Sequence, residues 1–321
     1  THAIHDASAR HILAEITDAA RQEAGAANKT IVLIAETDEN DVRYLRPTSE
    51  GGFGFDAVYA DDFHHALRRY LAGDHEGYYS HFNGTLDEVA RCIQQGWLRR
   101  GAPAEDRPAW QFLYVLQNHD QVGNRAFGER LHHQIGLERF AAASALLLFL
   151  PQTPMLFMGQ EFGASTPFQF FTDHNPELGK LVTEGRRREF KAFSAFADEA
   201  TRERIPDPQA ESTFLHSKLQ PDEGDRPPGS TLRDWYTSLL TLRRTDPVLR
   251  DQSRERTSPR ALTRDVLSVR RWADAGERLL IVNFGDDSFS TSEFGDGWRA
   301  LLGKTTQGAG APPRSAVILG R

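Results

Sequence analysis

The sequence predicts an α/β fold that ends in a small antiparallel β domain. Three observations support this prediction: four short apolar runs suited to strands, helical stretches that separate them, and a change to β-like patterns after residue 246. Alternation of strands with helices is typical of a parallel sheet with crossover helices. We therefore place a first domain at residues 1–246 and a second at residues 247–321.

Each of the four predicted strands is a short run of mostly apolar residues. The first run, IVLIA at residues 31–35, is apolar at every position, which is typical of a strand buried on both faces. The other runs are residues 56–60 (DAVYA), 111–116 (QFLYVL) and 154–158 (PMLFM). Four strand–helix units make up half of an eight-fold barrel or one open doubly wound sheet.

Apolar residues at helical spacing predict helices around these strands. They cover residues 63–71, 86–96, 137–150 and 232–244. An earlier helix, with Asp6 or Ser8 as its cap, is indicated by the helical spacing of His5, Ile12, Leu13 and Ile16. The most apolar stretch, residues 140–150, has about half the ~20 residues needed to cross a bilayer. It predicts a buried helix, and we expect no membrane partner.

The part after Asp246-Pro247 has a different pattern. Residues 262–272, 279–284 and 315–319 are β-like, and the segments between them are rich in Gly, Asp, Ser and Pro. Upstream, residues 206–228 are rich in Pro, Asp and Gly, which predicts a long surface connection.

Composition and charge restrict the possible function. The 321 residues (36.0 kDa) are 39% apolar and 26% charged, enough for a real core, so a disordered chain is excluded. A net charge of −7 and a pI near 6.0 give no general reason to bind nucleic acid, and favour a neutral substrate. The single cysteine, Cys92, excludes an intrachain disulfide and favours a reducing compartment, so a cytoplasmic location is expected.

A carboxylate follows every predicted strand. Glu36 follows the first, Asp61 and Asp62 the second, Asp120 the third and Glu161 the fourth. The carboxyl ends of parallel strands lie on one face of a sheet, where ligands bind. One such acid could be a helix cap, but four in register predict a ligand site.

Two carboxylates that converge on a neutral substrate suggest glycoside chemistry. Glu36 follows an apolar strand, whose burial would keep the acid protonated, so it is the candidate general acid. Asp120 follows Asn118 and His119, which favour its ionised form. Aromatic residues that could stack on sugar rings, or simply pack, are Phe63, Trp110, Phe168, Phe170 and Phe171.

Other kinds of site find little support. The sequence has no G-x-S-x-G or G-x-G-x-x-G motif, and residues 303–305 (GKT) lack the first glycine of a phosphate loop. Adjacent histidines, at 64–65 and 132–133, point in different directions on a helix, and no H-E-x-x-H motif is present. We expect no metal and no cofactor.

Several segments together resemble the α-amylase superfamily and, within it, the maltooligosyltrehalose trehalohydrolase family. They are LIAETDENDVRYLRP (33–47), DAVYADDFHHALR (56–68), LQNHDQVGNRAFGERL (116–131), PMLFMGQEFGASTPFQFFTDH (154–174) and GRRREF (185–190). The resemblance covers residues 1–250 well and implies the C-terminal half of a (β/α)8 barrel followed by a small antiparallel β-sandwich.

The resemblance also implies an activity and a set of site residues. It implies hydrolysis of the α-1,4 bond next to the terminal trehalose of maltooligosyltrehalose, with retention of configuration. Glu36 matches the general acid/base and Asp120 the carboxylate that stabilises the transition state. The matched substrate-binding residues are Thr1, His2, Ala3, Ile4, Asp61, Asp62, Phe63, His64, His65, His119, Gln121, Val122, Gly123 and Asn124.

The family's nucleophilic aspartate would align two residues ahead of Thr1. We therefore expect the chain to be the C-terminal part of an enzyme whose N-terminal half is its partner. Three alternatives remain: a branching enzyme of the same superfamily, a glucan-binding relative without catalysis, and an unrelated doubly wound domain whose acids are helix caps.

Overall fold

Two sheets organise the chain. The computed structural model describes residues 1–98, 104, 106–189, 204–306 and 310–321. One sheet is parallel with strand order β1-β2-β3-β4, and the other is antiparallel with order β5-β6-β7-β9-β8. Their strands are β1 (Ile34–Ala35), β2 (Ala57–Tyr59), β3 (Phe112–Tyr114), β4 (Thr153–Pro154), β5 (Thr257–Ala261), β6 (Val266–Ala273), β7 (Gly276–Asn283), β8 (Arg299–Leu302) and β9 (Ser315–Gly320).

The parallel sheet confirms the strand–helix alternation, although its strands are shorter than predicted. Three of the four apolar runs contain their strand, whereas the run at residues 154–158 shares only Pro154 with β4. The expectation that residues 31–35 are buried on both faces is wrong. Val32, two residues ahead of β1, is 67% exposed because β1 lies at the edge of the described parallel sheet, beside β2. The central strands β2 and β3 are buried instead.

The helices surround the parallel sheet and separate its strands. They are α1 (Ile12–Ala26), α2 (Asp62–Ala72), α3 (Leu86–Gln95), α4 (His119–Gly123), α5 (Leu131–Ile135), α6 (Leu137–Phe149), α7 (Pro176–Glu189), α8 (Glu211–Ser217), α9 (Gly229–Thr245) and α10 (Pro247–Arg250). Four of these helices correspond to predicted ones: α2, α3, α6 and α9 match the predictions at residues 63–71, 86–96, 137–150 and 232–244. In contrast to the connection predicted at residues 206–228, helix α8 lies within that segment.

Local capping explains where α1 begins. His11 occupies the cap position and its Nδ1 accepts a hydrogen bond from the Leu13 amide. The carboxylate of Asp6, one of the two predicted caps, accepts from the Ile12 amide at 2.5 Å. Hydrogen bonds from Ser8 and Ile12 lower the pKa of Asp6 to about 2, so the Asp6 carboxylate is ionised over the whole neutral range.

One hydrophobic core joins the two sheets. Helix α6 is buried along almost its whole length, as predicted for residues 140–150, and it contacts both β7 and β9. Residues of β6 and β7 belong to the same core cluster as those of the parallel sheet. None of the helices in the described ranges has the length and hydropathy to cross a membrane.

A buried arginine fixes the antiparallel sheet against this core. Arg271 of β6 is 1% exposed and donates to the backbone oxygens of Phe149, Leu249 and Asp251. Burial and the nearby Arg243 lower the pKa of Arg271 to about 9, so it remains charged at neutral pH. Three carbonyl groups at the contact between the sheets therefore depend on one side chain.

We expect Arg271→Met to lower the free energy of unfolding by about 3 kcal/mol or more, because buried carbonyls lose their donor. Urea unfolding at neutral pH measures this loss. The matched control is Arg270→Met, since Arg270 is 47% exposed and its ion pair with Glu277 should contribute at most about 1 kcal/mol. Equal losses in the two variants would contradict the role given to Arg271.

Candidate active site

Three side chains that follow strands β1 and β3 meet at the carboxyl edge of the parallel sheet. Glu36 follows β1, while His119 and Asp120 begin α4 after β3. Glu36 Oε1 lies 4.0 Å from His119 Nε2, which lies 3.6 Å from Asp120 Oδ1. Oxygen or nitrogen atoms of all three side chains lie within 4.8 Å of one another. The structure therefore brings Glu36 and Asp120 together, although β1 and β3 are not neighbours and β2 lies between them.

The Asn118-His119-Asp120 sequence folds this way because Asn118 caps α4. Its side-chain oxygen accepts hydrogen bonds from the amides of Asp120 and Gln121, both at 3.0 Å. The cap places His119 and Asp120 in the first turn of the helix, directly at the end of β3. Both side chains are about half exposed, at 52% and 46%, and can be reached by a ligand.

Thr1 lies directly beside the Glu36 backbone. Its backbone nitrogen and its Oγ1 both donate to Glu36 O, at 2.9 and 2.6 Å. His2 Nδ1 lies 3.7 Å from Asp38, whereas Ala3 and Ile4 are exposed. Thr1 is therefore held at the end of β1 by two hydrogen bonds to Glu36.

Asp61 follows β2 and lies within a group of acids. Burial raises its pKa to about 7, and the carboxylates of Asp120, Asp62 and Glu36 add to this effect. Its Oδ1 is 3.8 Å from Nε2 of His64, whose own burial lowers its pKa well below the usual range. Near neutral pH, Asp61 is thus a partly protonated carboxyl group beside a neutral imidazole.

The raised pKa of Asp61 predicts that folding stability falls with pH. The folded protein holds this proton up to about pH 7, whereas the unfolded chain releases it near pH 3.8. We expect the free energy of unfolding to decrease between about pH 4 and pH 7, by at most about 4 kcal/mol at about 1.4 kcal/mol per pKa unit. Asp61→Asn should remove this part of the pH dependence, as urea unfolding at pH 4.5 and 8 can show.

The control for this prediction is Asp173→Asn, which changes an exposed acid on the loop ahead of α7. It should leave the pH dependence as in the unchanged protein. If Asp61→Asn and Asp173→Asn give the same stability difference between the two pH values, then Asp61 does not carry the effect.

Several predicted substrate-binding side chains lie inside the protein. Phe63 has no exposed surface and stacks on Tyr114 with a centroid distance of 4.3 Å, which favours the packing alternative over contact with sugar. Its position in the first turn of α2 turns it toward the core. The other predicted binding residues that are buried are Asp62, His64, Gln121, Val122 and Gly123, while His65 and Asn124 are half-buried.

The remaining strand-end and aromatic predictions have mixed outcomes. Trp110 is exposed, but it precedes β3 and so lies at the opposite end of that strand from the acids, which contradicts its predicted place. Glu161 follows β4 but belongs to neither cluster of possible ligand groups among the described residues. Phe168 packs on Phe157 and Phe171, which indicates packing rather than an open platform.

Sequence reasoning missed Tyr59. Its hydroxyl contacts Met155 Sδ at 3.6 Å, and burial together with the charges of Glu36, Asp61 and Asp120 raises its pKa. Tyr59 is the last residue of β2, and Asp61 follows two residues later at the cap of α2, so Tyr59 is close in sequence to the acids after this strand. That spacing was the signal that could have found it.

Two groups of side chains at this face have the composition of possible metal ligands. One is Glu36, His119 and Asp120, and the other is Asp61, His64 and His65. In each group one oxygen or nitrogen atom per residue lies within 4.8 Å of the others. A cavity of about 130 Å³ opens beside the second group, lined in part by Asp61, His65 and Tyr78.

No protein-family model matches the chain. Malto-oligosyltrehalose trehalohydrolases from Deinococcus radiodurans and Arthrobacter ramosus are 41% and 42% identical to it, over 90% and 77% of this chain and 48% and 44% of their own lengths. The chain thus spans about half the length of the curated relatives it matches.

A solved structure of an α-amylase-type protein is also similar to the chain. A Salmonella typhimurium protein assigned as an α-amylase is 30% identical and superposes with a TM-score of 0.83, over 99% of this chain and 56% of that one. The parallel and antiparallel sheets agree with an α-amylase-like α/β fold. The chain belongs to the α-amylase superfamily, and its sequence corresponds to a C-terminal portion of the maltooligosyltrehalose trehalohydrolases.

Proposed function

We propose that the protein containing this chain hydrolyses the α-1,4 bond next to the terminal trehalose of a maltooligosyltrehalose and releases trehalose. The observation that carries this proposal is the convergence of Glu36 and Asp120 around His119 at the carboxyl edge of the sheet. A pair of carboxylates beside an imidazole suits cleavage of a glycosidic bond through an oxocarbenium-like transition state. The names of the relatives support the choice of substrate.

In this proposal Glu36 protonates the leaving oxygen of trehalose and then acts as base toward water. The carboxylate of Asp120 stabilises the positive charge that develops on the sugar, with His119 holding a sugar hydroxyl. In this chain the Glu36 side chain is 54% exposed. The apolar surroundings that a general acid needs must therefore come from bound substrate and from the segment that the longer relatives carry.

The nucleophile in this proposal is a carboxylate two residues ahead of Thr1. The Thr1 nitrogen lies 2.9 Å from Glu36 O, and consecutive Cα atoms are about 3.8 Å apart. A residue at that position would therefore lie within about 10 Å of the Glu36 backbone. This is compatible with the carboxyl separation of roughly 5–5.5 Å that retention requires.

The proposal extends to the architecture. Residues 1–246 would form the second half of a (β/α)8 barrel, with exposed Ile34 of the edge strand β1 facing the first half. Residues 247–321 would form the C-terminal β-sandwich. The one cysteine, Cys92, is buried and unpaired, which supports a cytoplasmic location.

The test uses the full-length polypeptide that carries this sequence. It is incubated separately with maltooligosyltrehalose and with amylose, and free trehalose and the anomeric form of the released reducing end are identified. We expect trehalose from the first substrate only, with retention. Transfer of amylose segments into branches would replace the proposal by a branching enzyme, and binding without cleavage would indicate a glucan-binding protein.

A further inference from the structure

One arginine connects the last turn of α7 with the end of α4. Arg186 donates through Nη1 to Asn124 Oδ1 at 3.2 Å and through Nη2 to the backbone oxygen of Gly123. Asn124 caps the end of α4, and its Nδ2 donates to Asp120 Oδ1 at 3.4 Å. A line of hydrogen bonds therefore runs from Arg186 through Asn124 to Asp120.

The direction of these hydrogen bonds is fixed by chemistry. A guanidinium group has donors and no acceptor, so the side-chain oxygen of Asn124 must face Arg186. The amide nitrogen then faces Asp120, where it donates to the carboxylate. Without Arg186 the amide could rotate by half a turn and present its oxygen to Asp120, which would place two acceptors against each other and repel the carboxylate.

Arg186 is itself held in place. Its guanidinium group lies over the ring of Phe170, 4.2 Å from the ring centroid, which is a favourable cation–π position. Phe170 follows Phe168, whose ring lies beside Gly123 at van der Waals distance from the space a side chain there would fill. The segment around residues 168–170 and α7 together therefore fix the guanidinium group at the end of α4.

We propose that Arg186 is a positioning residue that orients Asp120 through the Asn124 amide. This proposal rests on the proposed function, because it assigns Arg186 to the α-glucan chemistry of Asp120. The hydrogen bonds from Arg186 to the end of α4 go to Gly123 and Asn124, so its effect reaches Asp120 through Asn124. Groups that orient a reacting side chain commonly change rates strongly, since a displacement of about 1 Å can cost about 100-fold in rate.

The test compares four variants of the full-length protein acting on maltooligosyltrehalose: Arg186→Met, Asn124→Ala, their combination, and Arg188→Met. Arg188 is a matched control from the same helix, 65% exposed and 4.0 Å from Glu184. We expect Arg186→Met to lower kcat about 10- to 100-fold with KM within about threefold of the unchanged protein. Arg188→Met should leave both constants unchanged.

The combined variant shows whether Arg186 acts through Asn124 or lowers the activity independently of it. If Arg186 acts through Asn124, the combined variant is no slower than the slower single variant. Losses that multiply in the combined variant would overturn the proposal, as would a kcat within threefold of normal in Arg186→Met. The conservative Arg186→Lys retains a donor toward Asn124 and should recover part of the lost kcat.

A measurement without turnover distinguishes this proposal from the proposed function. Amide hydrogen exchange across residues 119–124 should be faster in Arg186→Met and in Asn124→Ala than in Arg188→Met, because the end of α4 loses its support. If the unchanged protein releases no trehalose, the proposed function fails and the exchange result still decides the role of Arg186. Unchanged exchange in both variants would overturn the positioning role.

Discussion

Replacing Glu36 by Gln in the full-length protein should lower kcat on maltooligosyltrehalose by at least about 100-fold. Gln has the same shape as Glu but cannot donate a proton to the leaving trehalose oxygen, and general acid–base catalysis typically contributes 10²–10⁴-fold. The loss should fall mainly on kcat, since the substrate contacts of the site remain. Steady-state kinetics of trehalose release measure both constants.

Changing the leaving group of the substrate tests whether the loss in Glu36→Gln comes from the missing proton donor. An α-glucoside with a phenol of low pKa as leaving group needs little help from an acid, so Glu36→Gln should impair its first bond cleavage far less. Glu23→Gln, an exposed acid on α1, is the matched control and should behave as the unchanged protein. Turnover of the natural substrate within threefold of normal would remove Glu36 from the role of general acid.

The sequence predicted the elements and the acids of the site because both depend on local pattern. Continuous apolar runs mark the strands β2 and β3, and an Asn that caps α4 fixes where Asp120 emerges. A carboxylate placed directly after a parallel strand can only reach the carboxyl edge of that sheet. Glu36 and Asp120 therefore meet even though 84 positions separate them in the sequence.

Other features depend on distant parts of the fold, which local pattern does not record. Phe63 was expected to contact sugar, but its direction depends on how α2 packs over Tyr114. The exposure of Val32 follows from the position of β1 at the sheet edge. Arg186 bonds to Asn124, which lies 62 residues away in the sequence. Its neighbours Arg187 and Arg188 are also arginines, so the residue type does not tell them apart. Only the fold distinguishes the three arginines.

Replacing Asp120 by Asn should lower kcat by about 100- to 1,000-fold, the usual scale for loss of one preorganised electrostatic group. Asn keeps the volume of Asp120 and the backbone hydrogen bond to Asn118, so α4 should remain folded. It removes the negative charge that faces the developing oxocarbenium ion. Trehalose release and urea unfolding, measured on the same preparation, separate a catalytic loss from a loss of stability.

The comparison of Asp120→Asn with Glu36→Gln then separates the two carboxylates by chemistry. With a good leaving group, the first bond cleavage should be impaired far less in Glu36→Gln than in Asp120→Asn, because charge develops on the sugar whatever group departs. Asp173→Asn, on an exposed loop, should leave kcat unchanged. If the good leaving group restored both variants equally, Asp120 would not be the group that stabilises the transition state, because a charge on the sugar needs a counter-charge in either reaction.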